Sequence, residues 1–318
     1  MLFGKRRAYQ RKVAVAEFEA VVSGDIYVLA PKDTQRLLPE MLPFLCLSER
    51  FFQHAVGTSA GSLSPRTNWR SLASFEFDLP PLDQQRRIAE ILWAVDRVEE
   101  AGREIAAAVV VSERAFFEDC FGDLFRKGKT VSLGDISDFI TSGSRGWAEY
   151  YSDQGALFLR SQNVRDQVLD FADLQRVQPP EGAEGERTRT GSGDIVVTIT
   201  GNSVGNVAYI PESLGVSYVS QHVGLVRLKQ PERHRIISAF FGKNGTGNKQ
   251  ILKAQYGLKP GLNLTALRNF TVPFPDHKEV ETITARIIEF DDIRVVLQQY
   301  RTRLANLLTE IINRIFTP

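Results

Sequence analysis

Three stretches of the chain carry residue types used in covalent chemistry, and each lacks the spacing that chemistry needs. Gly242-Lys243-Asn244-Gly245-Thr246-Gly247-Asn248-Lys249-Gln250 approaches a phosphate-cradling loop, but an asparagine precedes the lysine and a glutamine stands where a magnesium-binding hydroxyl belongs. Asp78-Leu79-Pro80-Pro81-Leu82 has neither the spacing nor the aromatic of an adenine methyltransferase site. Pro275-Asp276-His277-Lys278 lacks a second acid at nuclease spacing and falls where a helix begins. Cys46 and Cys120 are too few for a disulfide framework or a zinc site, and His54, His222, His234 and His277 show no metal-ligand spacing. The chain is therefore expected to hold no metal or cofactor of its own and to be non-catalytic.

What remains is hydrogen-bonding chemistry. Arg145, Arg160, Gln162, Asn163, Asn202, Ser203 and Gln221 fall at the ends of predicted strands beside the glycine turns at Gly143, Gly146, Gly201 and Gly205. Guanidinium and amide groups offer paired donors and acceptors to a planar partner. Trp147 fits either stacking at an interface or burial in a core, and Arg160 fits either a ligand contact or a surface ion pair. Lys249, Lys253 and Lys259 flank a glycine-rich segment, and Lys5, Arg6, Arg7, Arg11 and Lys12 form a basic cluster without an acid. A net charge of +1 argues against a non-specific polyelectrolyte binder, and the basic cluster by itself reads as a solvated edge ahead of a binding patch.

The elements that must position these residues follow from periodicity. Residues 13 to 30 read as two strands joined at Ser23-Gly24-Asp25, and 37 to 55 as a helix with Leu38, Leu42, Leu45 and Phe52 on one face. Asn68 caps a short helix over 69 to 74, and 75 to 79 alternates like a strand up to Pro80-Pro81. From Leu82 to about Phe117 there is no proline, and Ile88, Leu92, Val95, Ile105, Val109 and Phe116 recur on helical steps, predicting one long amphipathic helix. His277 to Phe316 predicts a second. Between them, 131–140 reads as a short helix or strand, Ala156 to Arg160, Ile195 to Thr200 and Val207 to Ile210 as strands, and 179–185 as a surface loop. No apolar run reaches the roughly 18 residues needed to cross a bilayer, and no signal-peptide pattern opens the sequence, so a cytoplasmic location is expected.

The chain also repeats itself. Residues 65–98 align without a gap on 260–293, with Pro65/Pro260, Asn68/Asn263, Leu72/Leu267, Phe75/Phe270, Pro80/Pro275, Ile88/Ile283 and Asp96/Asp291 identical. So long a period implies a duplicated domain with the helix that follows it, rather than a solenoid of small repeats.

Pro80-Pro81-Leu82-Asp83-Gln84-Gln85-Arg86-Arg87-Ile88-Ala89-Glu90-Ile91-Leu92 resembles the segment that opens the helix of Type I restriction–modification specificity (S) subunits. Gly143-Ser144-Arg145-Gly146-Trp147, Leu159-Arg160-Ser161-Gln162-Asn163-Val164, Gly193-Asp194-Ile195 and Gly201-Asn202-Ser203-Val204-Gly205 resemble successive segments of that family's target recognition domains. The resemblance implies an α+β fold of two recognition units, each followed by a long helix, the two helices pairing as an antiparallel coiled coil. It implies the last part of a first recognition domain over 1–80, a helix over 81–126, a complete second domain over 127–275 and a final helix over 276–318. Residues 1–79 match only the latter part of a recognition domain, which makes the first unit partial, with unpaired strand edges, and the chain truncated at its N-terminus or started late. The second helix start, Pro273-Phe274-Pro275-Asp276-His277-Lys278-Glu279, lacks the glutamine pair.

Function follows from the resemblance as an expectation: a DNA recognition subunit that directs methyltransferase and restriction subunits to a bipartite duplex target. S-adenosylmethionine and ATP with magnesium would belong to those partners. The alternative is a scaffold that has lost DNA reading. In the first case Arg145 and Arg160 suit guanine or phosphate, Gln162, Asn163, Asn202 and Gln221 suit adenine, and Lys249, Lys253 and Lys259 suit phosphates. Ser203, Trp147 and the cluster at Lys5, Arg6 and Arg7 complete the expected DNA surface, and Gln84, Gln85, Arg86, Ile88 and Leu92 the expected partner surface.

Overall fold

A computed structural model describes residues 1–257 and 260–316. The chain forms two compact units, one made of residues 1–106 with the segment from Val295 onward, the other of residues 107–294. Each long helix contributes to both units, so neither helix is a unit of its own.

The first unit runs β1 (Leu2–Gly4), β2 (Val13–Ala14), β3 (Ile26–Val28), α1 (Leu42–Leu47), α2 (Glu49–Gly57), β4 (Ser59–Ala60), β5 (Arg66–Thr67), α3 (Trp69–Leu72) and the start of α4 (Leu82–Arg126). Its sheet has the order β2-β1-β3, antiparallel throughout. Residues 13–30 are thus not a hairpin, because β1 lies between the two strands. Phe3 of β1 is wholly buried against Phe51 and Phe52, with ring centroids at 5.4 and 6.4 Å. Met41, Phe44, Leu45 and Leu92 complete this core together with Ile312 and Phe316 from the end of the last helix. The helix expected over 37–55 is split at Ser48, whose extended backbone ends α1 and whose hydroxyl accepts the Phe51 N–H at 3.3 Å to cap α2.

The second unit contains β6 (Thr130–Ser132), β7 (Ser137–Ser142), β8 (Tyr151–Ser152), β9 (Ala156–Leu159), β10 (Gln175–Val177), α5 (Ala183–Thr188), β11 (Ile195–Thr198), β12 (Val207–Tyr209), β13 (Ser217–Val219) and β14 (Val223–Leu228). Then come α6 (His234–Phe241), α7 (Asn248–Ala254), α8 (Leu264–Asn269), β15 (Thr271–Pro273) and the start of α9 (His277–Phe316). Two four-stranded sheets, β13-β9-β10-β8 and β12-β11-β14-β7, carry the unit, and β15 pairs with β6. Ile195-Val196-Val197-Thr198 is buried on both faces, which explains a β-branched run without polar alternation. Part of the loop expected over 179–185 is already the first turn of α5.

α4 and α9 contact each other, and the numbering falls along one as it rises along the other. In the first unit Gly102 lies beside Arg301, and in the second Phe116 meets Phe290 with ring centroids 6.0 Å apart. The pairing is antiparallel, and α4 runs past Phe117 to Arg126.

The duplication reaches further back than the sequence alignment. Phe3 faces Val13 on one side and Tyr27 on the other; Val197 faces Val207 and Gly224 in the same way. Gly4 N–H donates to Lys12 O and Thr198 N–H to Asn206 O, each at 2.9 Å, while Lys5 N–H donates to Asp25 O at 3.0 Å and Ile199 N–H to His222 O at 2.9 Å. β2-β1-β3 therefore has the order and register of β12-β11-β14. The caps agree too: Asn68 accepts from Ser71 N–H at 2.8 Å and Asn263 from Ala266 N–H at 2.7 Å. One expected strand is absent. Where β15 finds β6 as partner, residues 75–79 find no strand partner among the described residues and instead pack Phe75 and Phe77 against Phe51 and Phe316.

Candidate nucleic-acid interface

At one end of the β12-β11-β14-β7 sheet three connections converge. Gly143 follows β7, Thr200 follows β11, and Gln221 and His222 form the turn between β13 and β14. Together with Ser144 and Arg145 they line a cavity of about 330 Å³. Gly143 makes the convergence possible, since a Cβ there would overlap the Val219 carbonyl oxygen and the backbone of Ser220. Arg187 of α5 fastens the same loop by donating to Thr141 Oγ1 and Ser142 O, each at 2.5 Å, and to Ser144 Oγ at 2.6 Å.

Polar partners within the cavity are few. Gln221 Nε2 donates to His222 Nε2 at 3.1 Å. An amide nitrogen only donates, so Nε2 of His222 accepts and its Nδ1 carries the proton, donated to Thr200 Oγ1. Among the described residues no side chain pairs with Arg145, which is exposed, or with the Gln221 amide oxygen. The site thus combines an unengaged guanidinium with an amide held at one corner. Such groups recognise planar acceptor and donor edges and need no metal to do so.

The structure brings Arg145 and Gln221 together and sends other expected site residues elsewhere. Trp147 is 3 % exposed, stacked on Phe158 at 5.1 Å and donating its indole N–H to Glu184 Oε1 at 3.0 Å. It is a core residue, unavailable to stack on a base, because the turn at Gly146 directs the following 3-10 helix inward. Glu184 is held below the ordinary carboxyl value: burial, the largest influence, raises it, but hydrogen bonds from Trp147, Ser144 and Arg187 outweigh that effect.

Asn163 is also a correction. At 1 % exposure it accepts the Arg160 N–H at 3.0 Å and donates to Asp170 O and Asp173 O at 3.0 and 2.8 Å, so its amide shapes the loop after β9. Asp173 accepts from Arg160 at 3.0 Å and from Gln162. Of the two readings left open for Arg160, the structure contains the ion pair. Ser203 is half-buried beside Ser161 O, whereas Asn202 lies exposed on the turn between β11 and β12. Lys249 and Lys253 are exposed on α7, against which that turn packs through Gly205 and Ile251. Lys259 lies outside the described residues.

In the first unit Arg6 and Arg7 are exposed and Lys5 is half-buried, its ammonium 4.7 Å from the centre of the Tyr27 ring. The expected partner surface changes most. Gln85 is 1 % exposed, accepting Leu38 N–H at 2.9 Å and donating to Arg36 O and Pro80 O at 2.8 and 2.7 Å, and Leu92 is fully buried. Both are internal, and Ile88 packs on the same core, which leaves Gln84 and Arg86 exposed.

Thr200, His222 and Arg187 escaped the sequence reading. No motif marks them; the one available signal for His222 is its place beside Gln221.

Sheet-built units repeated in register, each leading into one of two long antiparallel helices, with a hydrogen-bonding surface at the end of the second unit's sheet, define a DNA-specificity class. The chain belongs to the Type I restriction modification DNA specificity domain family, whose profile matches residues 2–107 and 184–304, and it is a DNA specificity subunit of a type I restriction–modification system. Its fold is similar to that of a chain in a structure described as the basis of complex assembly and conformational transition of the type I R-M system, with TM-score 0.61, 16% identity, 99% of this chain and 80% of that chain covered. It is likewise similar to the S subunit from M. genitalium, with TM-score 0.56, 14% identity and coverages of 90% and 75%. A search of curated protein sequences finds no match. Among the described residues no helix is long and apolar enough to cross a membrane.

Proposed function

We propose that this chain sets the DNA target of a type I restriction–modification complex by reading a bipartite duplex sequence, and that it docks methyltransferase and restriction subunits which act at that target in the cytoplasm. S-adenosylmethionine and ATP with magnesium serve those partners. The observation that carries the reading is the convergence of Arg145 and Gln221 at one cavity beside the exposed Asn202, with Lys249 and Lys253 on the helix that backs the Asn202 turn. Arg145 suits a guanine or a phosphate and Gln221 an adenine, while the lysines suit phosphates.

The test is duplex binding by the chain assembled with its methyltransferase subunits. A base preference whose affinity falls steeply as salt rises supports DNA reading. Assembly with the partner and no preference among duplexes would instead make the chain a scaffold. Arg145→Ala is expected to relax one base position by about 1–3 kcal/mol, whereas Lys253→Ala weakens all sequences alike.

A further inference from the structure

The matched registers of the two units place particular residues in equivalent positions. Lys5 and Ile199 each receive a hydrogen bond from the chain after the second hairpin or turn, Thr67 N–H at 3.1 Å in one case and Leu262 N–H at 2.8 Å in the other. The next residues, Arg6 and Thr200, form equivalent bridges with Arg66 and Gly261. Asp25 and His222 are equivalent because each offers its carbonyl to the residue just beyond the central strand. In both units the side chains at these two positions touch: Arg6 Nη1 lies 3.3 Å from Asp25 Oδ2, and Thr200 Oγ1 is hydrogen-bonded to His222 Nδ1. The sheet keeps the contact while its chemistry is exchanged.

The residue after this pair differs in a telling way. Gly201 has φ +106, a conformation natural to glycine, and its counterpart Arg7 holds φ 54. A non-glycine residue in the left-handed region is strained and persists where surrounding contacts hold it. Arg7 is exposed, with Ser64 Oγ accepting from it at 3.1 Å. Asp25 also holds Arg66 at 3.1 Å, so one carboxylate fixes two guanidinium groups at the end of the first sheet.

We propose that this paired position is a specificity-determining contact in both units, with Arg6–Asp25 selecting guanine in one half of the target and Thr200–His222 selecting adenine in the other through Gln221. The proposal rests on the DNA-reading function above. Arg6 donates from Nη1 to Asp25 and from Nη2 to Ser64 Oγ, each at 3.3 Å, yet stays exposed, and the N–H donors left over from these two contacts match the O6 and N7 acceptors of guanine. His222 takes one N–H of Gln221 and leaves the amide oxygen with the other N–H, matching the N6 donor and N7 acceptor of adenine. Asp25 and His222 are positioning residues here; Arg6 and Gln221 touch the bases.

Selection from a randomised duplex pool by the full chain with its methyltransferase subunits tests this. Arg6→Ala and Asp25→Ala are expected to relax a single guanine position on the order of tenfold, and His222→Ala and Thr200→Val a single adenine position in the other half. Arg6→Lys keeps a donor and retains part of the guanine preference. Unchanged selection profiles, or affinity lost evenly on all sequences, overturn the paired-position assignment. If the parent chain itself selects no motif, the DNA-reading function fails as well, which separates the two outcomes.

Discussion

Asn244 donates its amide N–H to Glu113 Oε2 at 2.7 Å, joining the glycine-rich loop after α6 to the middle of α4 across 131 residues of sequence. Glu113 is 3 % exposed, and its other oxygen accepts from Arg294 of α9, which also pairs with Asp291. Glu113→Ala removes the acceptor of the Asn244 amide and one of the two that hold the Arg294 guanidinium. A loss of about 2 kcal/mol is expected for the second unit, less than the roughly 3–5 kcal/mol of a fully buried pair because Arg294 is a third exposed and keeps Asp291. Chemical denaturation checks it; an unchanged midpoint would remove this network from the account of stability.

The same network gives a pH dependence of defined sign. Burial pushes the Asp291 carboxyl above its ordinary value of 3.8, although Arg294 and Arg235 pull it down. The folded state then holds the proton more tightly than the unfolded state, so this group's contribution is fully present below 3.8 and declines as pH rises through the folded value. Asp291→Asn should flatten stability against pH in that window, measured by denaturation across mildly acidic buffers. A steeper dependence in the variant would reverse the assignment.

Gln85 holds the first turn of α4 to the preceding chain through three backbone hydrogen bonds. Gln85→Ala strands Leu38 N–H and is expected to cost about 2 kcal/mol in the first unit. Its neighbour Gln84 is exposed, so Gln84→Ala should leave the thermal midpoint in place. Equal effects from the two variants would contradict the burial difference.

Gly143 lies directly against the β13–β14 turn, and Gly143→Ala must push the Arg145 loop away from Gln221. Base preference in the second half-site should fall more than stability does. If selection from a duplex pool matches the parent, convergence of these loops is not what reads DNA.

The repeat, the caps at Asn68 and Asn263 and both long helices were legible in the sequence, because each depends on local periodicity or on side chains that bond their own backbone. Trp147, Asn163, Gln85 and Leu92 were assigned to surfaces because residue type reports what a side chain can bond, not which side of the chain faces solvent. Thr200 and His222 carried no motif at all. Only the tertiary structure could pair them, and match them to Arg6 and Asp25, since sheet register is set by long-range hydrogen bonds that survive when the side chains above them have changed.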